Sequence, residues 1–246
     1  MSRALATEFR KLRTIRAPWL LLALGPLIVV AGISGLVASG GNVHDPALQS
    51  RAFSHVGLAA IFTLVFGILA VAGEYSRGTI TDTFLSFPDR RRVIGAKLAA
   101  YGAVGAAAGL VSAGIALLVT AAWWSAKGGT VQLSAGGTWR TLAGGVAANA
   151  AFAAIGVGVG ALVRSLVAAV AATLAWVAVV EGIAGQLIGS GLARWLPFSA
   201  SESLDRASLT SASGLLSQWA GGLVLLGYAV AFAAAALLTT LKRDVT

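Results

Sequence analysis

Apolar positions dominate this chain in six long stretches, at residues 18–37, 53–73, 98–124, 141–163, 165–187 and within 207–241, and only the fifth holds a charge, Glu181. A helix needs about 20 mostly apolar residues to cross about 30 Å of hydrocarbon, so each stretch is long enough to span. Apolar and polar residues do not alternate along them, as they would in the strands of a membrane barrel, so the spanning elements are helices. The expectation is an all-α membrane protein with six transmembrane helices, residues 1–246 forming a single transmembrane domain. Arg164 alone separates the fourth and fifth stretches, which predicts a tight hairpin.

Shorter patterns lie between the spans. Leu5, Phe9 and Leu12 recur at spacings of four and three, while Glu8, Arg10, Lys11 and Arg13 lie largely off that stripe. This predicts an N-terminal amphipathic interfacial helix over residues 1–16, either resting on anionic headgroups or also holding a cytoplasmic partner. After the second stretch, Ile80, Phe84 and Phe87 share one helical face, with Leu85 beside it and Thr81, Asp82 and Ser86 turned away. Pro88 ends that helix, because the residue before a proline is pushed out of helical geometry. Asp89 stands where an N-cap belongs for the helix that becomes the third span. A small helix showing two phenylalanines is either a docking knob for another protein or a helix lying on lipid. Residues 188–214, with Arg194, Trp195, Pro197, Glu202, Asp205 and Arg206, are too polar in the middle to span and form an external loop.

Composition agrees with the pattern. The chain is 57% hydrophobic and 11% charged, against roughly 25% charged in a soluble domain, and its mean hydropathy is +0.85. A basic start followed by an apolar core and Val37-Ala38-Ser39 also fits a cleaved signal peptide. The apolar core exceeds the usual 7 to 15 residues of such a peptide, so a retained first helix is expected.

The net charge of +9 is explained by its distribution. With spans alternating in direction, one side collects 13 of the 18 Lys and Arg: Arg3, Arg10, Lys11, Arg13, Arg16, Arg77, Arg90, Arg91, Arg92, Lys97, Arg164, Lys242 and Arg243. Arg51, Lys127, Arg140, Arg194 and Arg206 fall on the other. The positive-inside rule then places both termini in the cytoplasm, and the lipid membrane, not nucleic acid, is the expected partner of the basic side chains.

Candidate chemistry is sparse. There is no cysteine, and His44 and His55 stand eleven positions apart without an acidic cluster, so no metal site is expected. Glu181 lies 17 residues past Arg164, about 25 Å along a helix. An intramembrane carboxylate there either lines a transport pathway, pairs outward with Arg194, or is protonated. Gly105 with Gly109, Gly156 with Gly160 and Gly185 with Gly189 are pairs that let helices approach closely. Trp123, Trp124, Trp139, Trp195 and Trp219 fall near external span ends, as in an aromatic belt.

The segment 74–97 also carries a resemblance. Glu74, Gly78 and Thr79 after the second span, an amphipathic turn, then Pro88, Arg91, Ala96 and Lys97 leading into the third resemble the permease subunits of ABC-2 type transporters. The basic N-terminal helix, six spans, the short loop at Arg164-Ser165 and Trp195-Leu196-Pro197 before the last span extend the likeness over most of the chain. The resemblance implies the type V exporter fold, an external helical hairpin within 188–214, and a coupling helix that seats on an ATP-binding subunit. It implies a docking site made by Glu74, Arg77, Gly78, Thr79, Ile80, Phe84, Phe87, Pro88 and Arg91. No Gly-x-x-x-x-Gly-Lys-Ser/Thr motif occurs, so ATP and Mg would be held by two copies of a partner ATPase, beside a second permease chain. This chain would then hold no cofactor and not itself be an enzyme. The expected function is export of a hydrophobic or amphiphilic substrate (drug, natural product, peptide or lipid) across a bacterial cell membrane. The alternative is a membrane immunity or scaffold protein that binds a partner without transport.

Overall fold

The computed structural model describes residues 2–14, 16–134, 137–184, 187, 190–205 and 214–240. It is 85% helical, with no strand among the described residues. Among the described residues, six helical segments are long and apolar enough to cross a membrane: Pro18–Ala38, Pro46–Ser76, Arg90–Ala126, Thr138–Val163, Leu166–Ile183 and Gln218–Leu238. Each of the six apolar stretches of the sequence therefore overlaps one of these segments.

In chain order the helices are α1 (Ser2–Thr14), α2 (Ala17–Ala38), α3 (Pro46–Leu58), α4 (Ala60–Ser76), α5 (Ile80–Ser86), α6 (Arg90–Ala126), α7 (Thr138–Val163), α8 (Leu166–Ala175, continued by a π-helical segment Trp176–Ala184), α9 (Ser190–Ala193), α10 (Pro197–Asp205) and α11 (Gln218–Thr240). The second span starts earlier than its apolar window, because Asp45 accepts from the Ala47 amide (2.8 Å) and Pro46 opens the helix. Gln49 is carried into the packed interior by a two-way pairing with Gln132, accepting from its amide (2.9 Å) and donating to its carbonyl (3.0 Å).

The bundle is built around α4 and α7, and α7 also packs against α3, α6 and α11. Glycine makes the α4–α7 crossing close: a Cβ at Gly67 would strike the Ala153 carbonyl, and one at Gly156 the Leu64 carbonyl. Gly160 meets the Ile68 carbonyl, and Gly105 and Gly109 meet Asn149 and Val146 of α7. These two glycine pairs thus pack helices within one chain. Packing fades outward: 72% of the second span's most apolar window is buried, against 6% of the fifth's. The fifth span therefore lies on the outside of the bundle.

Trp124 departs from the expected belt. It is 1% exposed and sits in the core formed by Val29, Ile33, Phe53 and Leu142, whereas Trp139, Trp195 and Trp219 are exposed. The expected hairpin after α7 is present. Arg164 takes a left-handed conformation (φ 58°), and Ser165 caps α8 by accepting from the Ala168 amide (3.4 Å). The segment 188–214 contains α9 and α10. Met1 and Ile15 of the N-terminal segment, Gly185, residues 188–189 (with Gly189) and 206–213 (with Arg206), and Lys242 and Arg243 lie outside the described residues.

Candidate functional site

Most of the basic side chains gather at one end of the bundle, where α1, the end of α4, α5 and the start of α6 meet. The Glu74-x-x-x-Gly78-Thr79 motif ends α4. Gly78 takes φ 70°, its amide donates to the Tyr75 carbonyl (3.1 Å), and the Thr79 amide donates to the Glu74 carbonyl (3.0 Å). This paired closure needs a left-handed residue, which glycine adopts without a Cβ penalty. Helix α5 follows at once. Phe87 is extended (φ −135°, ψ 90°) before Pro88, and the Asp89 carboxylate accepts from the Arg91 and Arg92 amides (3.1 and 3.3 Å). The break and the cap are those the sequence predicts.

Helix α6 is 37 residues long, about 55 Å, and it carries Lys97 well inside the packed end. The Lys97 ammonium is wholly buried and donates to Glu74 Oε1 (2.7 Å), Glu8 Oε2 (2.9 Å) and the Ala70 carbonyl (2.9 Å). Lys11 donates to Glu74 Oε1 (2.8 Å), Glu8 Oε1 (3.2 Å) and Thr83 Oγ1 (3.1 Å). The four charges close a ring of alternating sign, Glu8, Lys97, Glu74, Lys11, with no net charge. Burial of this kind persists only where each charge is paired and hydrogen-bonded. Burial alone would lower the Lys11 pKa, but the hydrogen bond to Glu74 and the charges of Glu8 and Glu74 outweigh it and hold the group above its ordinary 10.5.

The ring bears on two expectations. Lys97, counted from the sequence among the basic side chains of one side, is an interior cation of the bundle end, buried and paired with Glu8 and Glu74. Of the α1 stripe, Leu12 is buried and Leu5 packs half-buried against the same core, while Phe9 is 38% exposed; Ala4 and Glu8 complete the inward face. A carboxylate can occupy the buried side because Lys97 and Lys11 meet it there.

Helix α5 keeps its apolar pattern but turns that face inward: Ile80, Phe84 and Phe87 lie on its covered side, and Thr81, Asp82 and Ser86 are exposed. Ile80 is 2% exposed, packed against the chain itself, and Thr83 beside it bonds Glu74 Oε2 (3.3 Å). Ile80 and Glu74 are thereby withdrawn from any docking surface. Phe84 is half-buried with the Arg90 guanidinium 5.1 Å from its ring centre, and Phe87 is half-buried. Leu85, placed beside the stripe by periodicity, is 76% exposed and is the apolar side chain that α5 presents. Arg77, Gly78, Thr79, Pro88 and Arg91 are exposed around it. Between α1 and α5 lies a recess of about 530 Å³ lined by Thr7, Lys11, Arg77, Asp82, Ser86 and Phe87.

Glu8, Lys11, Lys97 and Thr83 were the residues that periodicity missed as a group. Two local signals mark them: Glu8 falls at four-residue spacing between Ala4 and Leu12, and Lys97 sits among Ile94, Ala96, Leu98 and Tyr101.

Glu181 stands apart, on the π-helical segment of the fifth span. Its Oε2 accepts from the Phe198 and Ser199 amides (2.8 and 3.2 Å), the first free N–H groups of α10 after Pro197. It caps α10 from another helix. The pairing with Arg194 does not form; that guanidinium lies 5.9 Å from the Trp195 ring centre. A second cavity, of about 1110 Å³, runs between α7 and α11 along Ala143, Ala147, Ala150, Leu223 and Leu226, with Arg140 also in its lining.

In comparisons with known proteins, no protein-family model and no curated protein matches the chain.

Proposed function

We propose that this chain is the permease subunit of an ABC-2 type exporter with the type V fold, in a bacterial plasma membrane, with α1 as its interfacial helix. Both termini lie in the cytoplasm. Two ATP-binding subunits carrying ATP and Mg dock on the basic end, and a second permease chain completes the pathway. Helix α5 is the coupling helix. The observation that carries this reading is its mounting: a short helix between the second and third spans, bonded through Thr83 to a buried charge ring and presenting Leu85 outward. A projection fixed to two spans can pass a partner's movement into the bundle, and the recess beside it offers room for a partner's side chain. The apolar cavity between α7 and α11 suits a hydrophobic or amphiphilic cargo.

The test is purification of the tagged chain from its native membrane in mild detergent, followed by identification of co-purifying chains and assay of ATP hydrolysis. A nucleotide-binding subunit and Mg-dependent hydrolysis are expected. Leu85→Asp should release that subunit while the permease stays in the membrane. A partner without a nucleotide-binding motif would establish the scaffold or immunity role instead.

A further inference from the structure

The charge ring divides in a way that the fold does not require. Two of its contacts lie within one part: Lys11 with Glu8 on α1, one turn apart, and Lys97 with Glu74 between the second and third spans. The other two cross between α1 and the bundle, Lys97 with Glu8 and Lys11 with Glu74. Lifting α1 therefore breaks only the crossing contacts. Each half leaves with one cation and one carboxylate, already paired and of zero net charge.

The consequence follows from the physics of buried ions. Separating a buried pair is costly because it strands a charge in a poor solvent for ions. Here separation strands none: Lys97 keeps Glu74 and the Ala70 carbonyl, and Lys11 keeps Glu8 in a setting open to water. The apolar hold on α1 comes from Ala4 and Leu12, which are buried, and Leu5, which packs half-buried against the same core. The Trp19 indole N–H donates to the Leu12 carbonyl (2.6 Å), marking the joint between α1 and α2. Lys11 is also the direct tie from α1 to α5, through Thr83 Oγ1.

We propose that α1 is a charge-neutral latch: it seats on the bundle end and lifts from it as a unit, and its seating fixes the position of α5. This holds whether or not the partner is an ATPase.

The chain contains no cysteine, so single introduced cysteines report the latch by reaction with a soluble maleimide in proteoliposomes. Ala4→Cys reads the underside of α1, Ile80→Cys the inner side of α5, and Ala148→Cys the core of the bundle. In the native background all three should be protected relative to an exposed Arg3→Cys. In Glu8→Gln/Lys11→Met, which removes the neutral half on α1, labelling at Ala4→Cys and Ile80→Cys should rise at least tenfold while Ala148→Cys stays protected. Glu8→Lys/Lys11→Glu keeps α1 neutral but sets like charges against Lys97 and Glu74, and should open both sites at least as far. Continued protection at Ala4→Cys in both variants would overturn the latch, and so would release of Ala148→Cys together with it. Release of Ala4→Cys without Ile80→Cys would overturn the link to α5.

Discussion

Lys97 holds two carboxylates at once in a place that water does not reach. Lys97→Met would leave Glu8 and Glu74 buried with Lys11 as their shared cation, a change expected to cost about 3–5 kcal/mol. The unfolding midpoint in denaturing detergent should fall accordingly. Arg92→Ala provides the contrast, because the Arg92–Asp89 pair (2.9 Å) is mostly exposed; an exposed pair contributes at most about 1 kcal/mol, so the midpoint should barely move. Lys11 adds a pH dependence of known sign. A cation whose folded pKa is raised stabilises fully below its unfolded value, and that contribution disappears as pH rises through the folded value. The stability difference between the native chain and Lys11→Met should therefore be level from neutrality to near pH 10.5 and shrink above it. A difference that shrinks below that range would show that Lys11 is not held by the ring.

At the scale of elements, helix ends decide most of what surrounds the two candidate sites. Gly78 closes α4 so that α5 starts directly beneath it, and Pro88 with Asp89 separates α5 from the long α6. At the opposite end, α10 depends on a cap supplied by another helix. Glu181→Leu removes an acceptor from the Phe198 and Ser199 amides, and loss of a cap costs about 1 kcal/mol, or about fivefold in an opening equilibrium. Hydrogen exchange at residues 198–199 should quicken by that factor while α7 is unchanged. If the exchange rate does not move, Glu181 does not anchor α10, and its place in the fifth span needs another explanation.

At the scale of the molecule, a tightly packed centre of α4 and α7 carries thinly covered outer helices, and charge is concentrated at one end. Under the positive-inside rule that asymmetry leads to the expectation that the basic end faces the cytoplasm. Ser86 and Ala126 are both exposed, at opposite ends of the third-span region. In right-side-out vesicles an impermeant maleimide should label Ala126→Cys at once and Ser86→Cys only after permeabilisation. The reverse pattern would place α5 outside the cell and remove it from reach of any ATPase.

The sequence by itself determined the number and approximate centres of the spans, the break at Pro88, the Asp89 cap and the hairpin at Arg164. Each depends on a run of neighbouring residues: apolar length against bilayer thickness, or a backbone preference acting within a turn. Only the tertiary structure decided which way α1 and α5 face and what Lys97 does. Periodicity reports which side chains share a face, but not what lies against that face. Glu8 and Lys97 are 89 positions apart, and neither reveals its partner locally. Near a membrane the ambiguity deepens, because lipid and protein interior both accept apolar residues; a buried charge finds its place only through the opposite charge that folding brings to it.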